Sequence, residues 1–187
     1  MGIAASFLAF KNTTPEQAHE LLGLEPTDKK AEIHESDAIS ATLPLRWYLV
    51  ILDREEFAKD RLAELSKGSE LLYGFVEEHV MFSSASAWID GRKMWSVEHS
   101  SEQGLDHLEI EGEPPDSLRK IREKQLELHQ QAMTEGEEVD HMFDVPVELH
   151  RTLLGFTLED GLESDPEHRF DVLERKKRKG FLAKLFR

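Results

Sequence analysis

The stretch Phe82-Ser83-Ser84-Ala85-Ser86-Ala87-Trp88-Ile89-Asp90-Gly91-Arg92-Lys93-Met94-Trp95-Ser96-Val97 decides the fold class. Asp90-Gly91 supplies the positive φ angles of a tight hairpin turn, and strand-forming residues flank it. A two-residue loop places Ile89 opposite Arg92, Ser86 opposite Trp95 and Ser84 opposite Val97. Side chains alternate along a strand, so Phe82, Ser84, Ser86, Trp88, Trp95 and Val97 are expected on one face. Small serines facing a large tryptophan leave room for its bulk. The stretch reads as antiparallel sheet, and Leu105 to Ile110 reads as a further strand.

Working toward the N-terminus, strand-helix units precede the hairpin. The apolar run Phe7-Leu8-Ala9-Phe10 reads as a strand. Thr14, with Pro15 next and Gln17 three residues on, is a capping box that opens a helix ending at Gly23. Residues 25–43 are polar and predict at most a short strand. Leu45 to Leu52 is nearly all apolar, as a strand buried on both faces requires. Asp53 then reads as the cap of a helix carrying Phe57, Leu62 and Leu65, with Gly68 as its stop.

Toward the C-terminus, Pro114-Pro115 ends the sheet signal and Asp116 opens the longest helix. Leu118, Ile121, Leu128 and Ala132 mark its apolar stripe, interrupted by Gln125, and Gly136 closes it. Val139 to Val145 reads as a last strand, with Pro146 opening a helix that Gly155 closes. Pro15 to Gly23 and Pro146 to Gly155 form a near-repeat, each with a histidine before Leu-Leu-Gly. Two ordinary glycine-terminated helices are the simpler reading, with an old duplication as the alternative.

The units predict an α+β fold: a two-layer, mainly antiparallel sheet with helices chiefly on one face, ferredoxin-like or related. The expected organisation is a single domain over 1–156, open to division into two related halves. An irregular acidic arm over 157–174 and a basic amphipathic tail over 175–187 complete it.

Composition narrows the class of activity. The 187-residue chain carries 23 basic and 38 acidic side chains, a formal charge of -15. It has no cysteine, which excludes disulfides, thiolate metal ligands and cysteine nucleophiles. So acidic a body does not attract phosphate backbones, so nucleic acid is not an expected partner of its main surface. No apolar run reaches the length of a membrane span. The expected location is the cytoplasm, with peripheral attachment to a membrane as the alternative.

Enzyme-like residues are few. Glu77 and His79 would share a strand face and could begin an acid/base pair or a metal site, with His99, His107 and His141 as further candidates. Their spacing forces no convergence. The alternative reading, a small metal-dependent or acid/base hydrolase, rests on that pair. No cofactor motif is present. Trp47, Trp88 and Trp95 sit in strong strand patterns and read as core.

The last thirteen residues contradict the rest. Arg175, Lys176, Lys177, Arg178, Lys179, Lys184 and Arg187 are basic, and the segment holds no acid. Without it, residues 1–174 carry a formal charge of -22. On a helix Phe181, Leu182, Leu185 and Phe186 would line one side. Such a tail suits docking to a protein partner or to an anionic membrane surface. The reading that results is a non-enzymatic interaction protein, its acidic body meeting a basic partner and its tail docking elsewhere.

Overall fold

The computed structural model describes residues 2–54, 56–57, 59–137 and 139–176. In chain order the elements begin β1 (Ala4–Lys11), α1 (Pro15–Leu22), β2 (Leu24–Ala31), β3 (Ala38–Leu43), β4 (Trp47–Asp53) and α2 (Lys59–Leu65). There follow β5 (Glu70–Glu77), β6 (Phe82–Ile89), β7 (Arg92–Ser100) and β8 (Glu109–Gly112). The chain continues through α3 (Ser117–Glu135), α4 (Asp144–Leu154), β9 (Phe156–Thr157), β10 (Gly161–Leu162) and β11 (Phe170–Arg175). Nine strands form one sheet in the order β2-β11-β3-β4-β1-β5-β6-β7-β8, and β9 and β10 pair separately. The protein is thus mixed α+β, built on a large antiparallel sheet.

Two apolar cores explain this arrangement, one on each face. Central β1 and β4 are buried on both sides, as their continuous apolar runs require. On the first face Phe7, Leu49, Ile51, Trp95 and Val97 pack with Val145 and Leu149 of α4. Helix α3 lies outward of α4 and adds Leu118 to this core. On the second face Leu8, Phe10, Val50, Tyr73 and Trp88 pack with Ala18 and Leu22 of α1 and with Leu62 and Leu65 of α2. A sheet apolar on both sides needs cover on both, so helices occupy both faces rather than one, and the expected two-layer plan is corrected. Every named ladder among the described residues is antiparallel. A β-α-β-β-α-β plan sets two strands side by side in parallel, and that pairing is not seen here.

The hairpin turn falls at Asp90-Gly91 as read, with Ile89 opposite Arg92. The register does not hold beyond it. Ala87 pairs with Trp95 while Trp88 pairs with Lys93, which leaves Met94 as an extra residue. A bulge of this kind reverses the facing of everything past it. Trp95 and Val97 therefore join the first core, and Trp88 joins the second. Both tryptophans are buried, which an unbulged hairpin with both on one face would not arrange so. Ser84 now opposes Glu98, Ser86 opposes Ser96 and His99 opposes Ser83.

Local chemistry places the other elements. Thr14 forms the full capping box with Gln17, and Gly23 closes α1 in the left-handed conformation. The strand expected over 139–145 is instead a 3-10 turn leading into α4, because the Asp140 carboxylate accepts the Phe143 amide hydrogen. Asp53 ends β4 rather than capping a helix, and α2 starts later at Lys59. Residues 25–43 supply two strands, β2 and β3. The largest correction concerns 157–174. Instead of an irregular arm it forms β9's pairing with β10 and then β11, which lies between β2 and β3. Phe170 and Val172 enter the first core and Leu173 the second, so a domain boundary at 156 does not hold.

Helices α1 and α4, the two halves of the near-repeat, lie on opposite faces. Each ends at a left-handed glycine and each buries its histidine, His19 and His150.

Candidate functional site: an acidic groove with an aromatic floor

Beyond α2 the second face is not fully covered. Ser84 and Ser86 of β6 and Ser96 of β7 are too small to fill the space above them. A groove of about 210 Å³ results. Phe57, Leu62, Tyr73, Phe82 and Trp88 form its apolar lining. Among the described residues of the lining, Glu56, Glu98, Glu109 and Glu111 supply four carboxylates and Lys93 a cation.

Internal bonds fix this lining. The Tyr73 hydroxyl accepts from the Phe57 amide at 3.1 Å, which pins the segment before α2 over β5. The Phe57 and Tyr73 rings meet edge to face at 6.2 Å. Trp88 Nε1 donates to Ser86 Oγ at 3.1 Å, so its polar edge is satisfied. Lys93 Nζ donates to Ser96 Oγ at 3.3 Å and pairs with Glu111. Ser96 Oγ donates to the same Glu111 carboxylate at 3.2 Å.

The rim brings two acidic residues face to face across a ladder. Glu98 of β7 lies directly opposite Glu109 of β8, and both line the groove. Like charges facing each other across a ladder cost stability, about 0.2–1 kcal/mol per pair. A cation placed between them would reverse that cost. Aromatic faces beneath the rim favour the same kind of guest, since a ring face attracts an ammonium or guanidinium group.

The residues singled out from sequence fall elsewhere. Glu77 Oε1 accepts from His79 Nδ1 at 2.7 Å and from the His79 amide at 3.2 Å, in the turn between β5 and β6. Glu78 accepts from the Ile3 amide at 2.8 Å and ties down the start of β1. The string thus closes a turn and anchors a strand. His99 is fully buried on the first face, bonded at Nδ1 to the His107 carbonyl (2.7 Å) and at Nε2 to Asp140 (2.9 Å). His107 Nδ1 accepts from the Ser100 amide at 3.0 Å. Among the described residues no group of three or more histidines and carboxylates is placed to hold a metal ion. The convergence that the hydrolase reading calls for is not found there.

Of the tail, Arg175 ends β11, and Lys176 donates its amide to Gly23 at 2.9 Å and pairs with Glu20. That lysine holds the Glu20 carboxyl below its ordinary range. Lys177, Arg178, Lys179, Phe181, Leu182, Lys184, Leu185, Phe186 and Arg187 lie outside the described residues. No helix among the described residues is long and apolar enough to cross a membrane.

The groove itself was not anticipated. Its signal is the alternation Ser96-x-Glu98 and Glu109-x-Glu111, which puts three carboxylates on one face once β7 and β8 are paired. No protein-family model, curated protein or solved structure matches the chain.

Proposed function

We propose that this is a non-enzymatic binding protein whose groove between α2 and β8 receives a lysine or arginine side chain from a basic protein partner. The observation that carries the reading is the Glu98–Glu109 juxtaposition above an aromatic floor. The groove's volume suits one large side chain, which makes it an anchor pocket rather than a cleft for a whole peptide. The acidic surface around it raises the encounter rate with a cationic partner and sets the sign of that partner's charge.

Fluorescence anisotropy with a labelled oligo-arginine peptide tests this. The expected result is salt-sensitive binding, weakened about tenfold or more by Glu98→Gln with Glu109→Gln. The control Glu123→Gln with Glu127→Gln, on the exposed side of α3, should leave it unchanged. Equal loss in both double variants would reduce the effect to net charge and sink the groove as a site.

A further inference from the structure

We infer that the outer edge of β8 takes up an extended segment of the basic partner as a further strand. One segment then serves both the acidic groove and an apolar notch on the other face of the sheet. The inference rests on the groove being a site for cationic side chains. It adds the partner's backbone conformation and its sequence pattern.

Strand β8 closes one end of the sheet, and among the described residues no strand pairs with its outer side. All four of its residues are exposed. Its ladder fixes which backbone groups face outward. The Glu113 amide donates to the Met94 carbonyl at 3.4 Å, and the next pair along is Gly112 with Trp95. Bonded and non-bonded pairs alternate in an antiparallel ladder. Glu109 and Glu111 therefore exchange bonds with β7, while the N–H and C=O of Ile110 point away from it. Those are the groups that an added strand uses.

The two ends of the sheet differ. At the other end β2 carries Pro26, Lys29 and Lys30, all exposed. Proline and lysine on an edge deter the addition of a strand. Strand β8 has neither, and its Glu109 and Glu111 select the guest instead. A second copy pairing through β8 would set these carboxylates against its own, whereas a basic segment brings opposite charge.

Both faces beside this edge have a recess. Glu109 and Glu111 line the acidic groove on the second face. Ile110, opposite Val97 of the first core, faces the other way. It borders a notch of about 350 Å³ with Pro114, Pro115, Leu118 and Leu126, between β8 and α3. A strand lying about 4.8 Å beyond β8 sends alternate side chains to the two faces. Basic residues of one parity meet the glutamates and the aromatic floor. Apolar residues of the other parity cover Ile110, which is 40% exposed. The segment that fits is extended and alternates basic with apolar residues.

A seven-residue peptide alternating arginine and valine tests this, beside a peptide of the same composition with its arginines in one block. Fluorescence anisotropy with the full chain should show the alternating peptide binding about tenfold tighter. At saturation it should also slow amide hydrogen exchange at Ile110 about tenfold or more, because that N–H gains an acceptor. Unchanged exchange at Ile110, or equal binding by the two peptides, overturns the added strand. In either case, weaker binding by Glu98→Gln with Glu109→Gln leaves the groove standing. Binding by neither peptide overturns the groove, and the strand with it.

Discussion

Gly74 leaves the space that His150 occupies. A Cβ at Gly74 would stand 2.6 Å from His150 Nε2 and 2.2 Å from Phe7 Cζ, both closer than atoms pack. The imidazole and the Phe7 ring meet edge to face at 4.3 Å over this bare stretch of β5. The glycine is there for the space above it, through which α4 seats on the first face of the sheet. Gly74→Ala should therefore destabilise the fold by about 1–3 kcal/mol. In thermal unfolding that is a fall of about 2–12 °C for a chain of this size. Phe7→Leu in the same chain should recover part of the loss, and an unchanged melting temperature in Gly74→Ala would contradict the packing.

His150 also predicts an acid sensitivity. It is buried, and neither ring nitrogen has a hydrogen-bond partner. Burial pushes its pKa down to about 3 from an ordinary 6.5; the nearby backbone of Tyr73 and Ser84 pulls the other way, outside hydrogen-bonding geometry. The folded chain thus refuses a proton that the unfolded chain accepts. Stability from this group is intact above pH 6.5 and is lost as the pH falls from there toward about 3. The slope is up to about 1.4 kcal/mol per pH unit. His150→Leu keeps the site apolar and removes the proton, so its stability should fall less steeply with acid than the parent's. Denaturant unfolding of both chains across that range measures the difference, and parallel curves would rule the effect out.

Glu109→Gln should move stability and binding in opposite directions. Removing one member of the Glu98–Glu109 facing pair relieves repulsion and stabilises the free protein by about 0.2–1 kcal/mol. The same change removes a carboxylate from the groove and should weaken the oligo-arginine complex. Raising salt from about 0.1 M to about 1 M should shrink both effects, since the rim is exposed and screening acts on it. Loss of stability together with loss of binding would instead mark Glu109 as a structural residue.

The buried His99–Asp140 pair holds the entry to α4. Both ring nitrogens of His99 face oxygen acceptors, the His107 carbonyl and the Asp140 carboxylate, and the His99 side chain has no exposure. Asp140 also caps the turn through the Phe143 amide. Asp140→Ala removes both bonds and leaves the buried His99 Nε2 without its partner. Leaving a buried group unpaired costs about 1–3 kcal/mol, and losing a cap about 1 more. The expected fall in melting temperature is about 4–16 °C. Asp140→Asn, which keeps an acceptor for the cap, should lose less, and equal losses would mean that the cap contributes nothing.

What could be read from the sequence is what local chemistry sets. The Thr14–Gln17 capping box, the glycine stops and the Asp90-Gly91 turn each depend on a few adjacent residues. The apolar runs in β1 and β4 indicate burial on both faces, and such burial calls for helices on both sides. Met94 is another matter. Nothing beside it demands a bulge; the demand comes from two cores that each take a tryptophan. The groove follows from that bulge, because only the shifted register sets Ser96 and Glu98 beside Ser86 and Ser84. Glu77 and His79 looked like chemistry for the opposite reason: their adjacency in sequence is used up in closing a turn.

The last strand gives the sharpest test of the architecture. Phe170–Arg175 alternates weakly and follows an acidic stretch, so it resembles a peripheral arm. Its place between β2 and β3 makes it interior to the sheet. Along it, Phe170, Val172 and Leu173 are all buried, shared between the two cores. A chain ending at residue 169 would strand β2 without its partner and open the edge of β3. It would also forgo three buried apolar side chains, each worth about 1.5–3 kcal/mol. That sum is comparable to the whole stability of a domain. The chain ending at 169 should therefore be unfolded or insoluble. The chain ending at 176 keeps every described strand and should melt cooperatively, as circular dichroism would show. If the shorter chain also melts cooperatively near the parent's temperature, β11 is an addition to the sheet and not part of its frame.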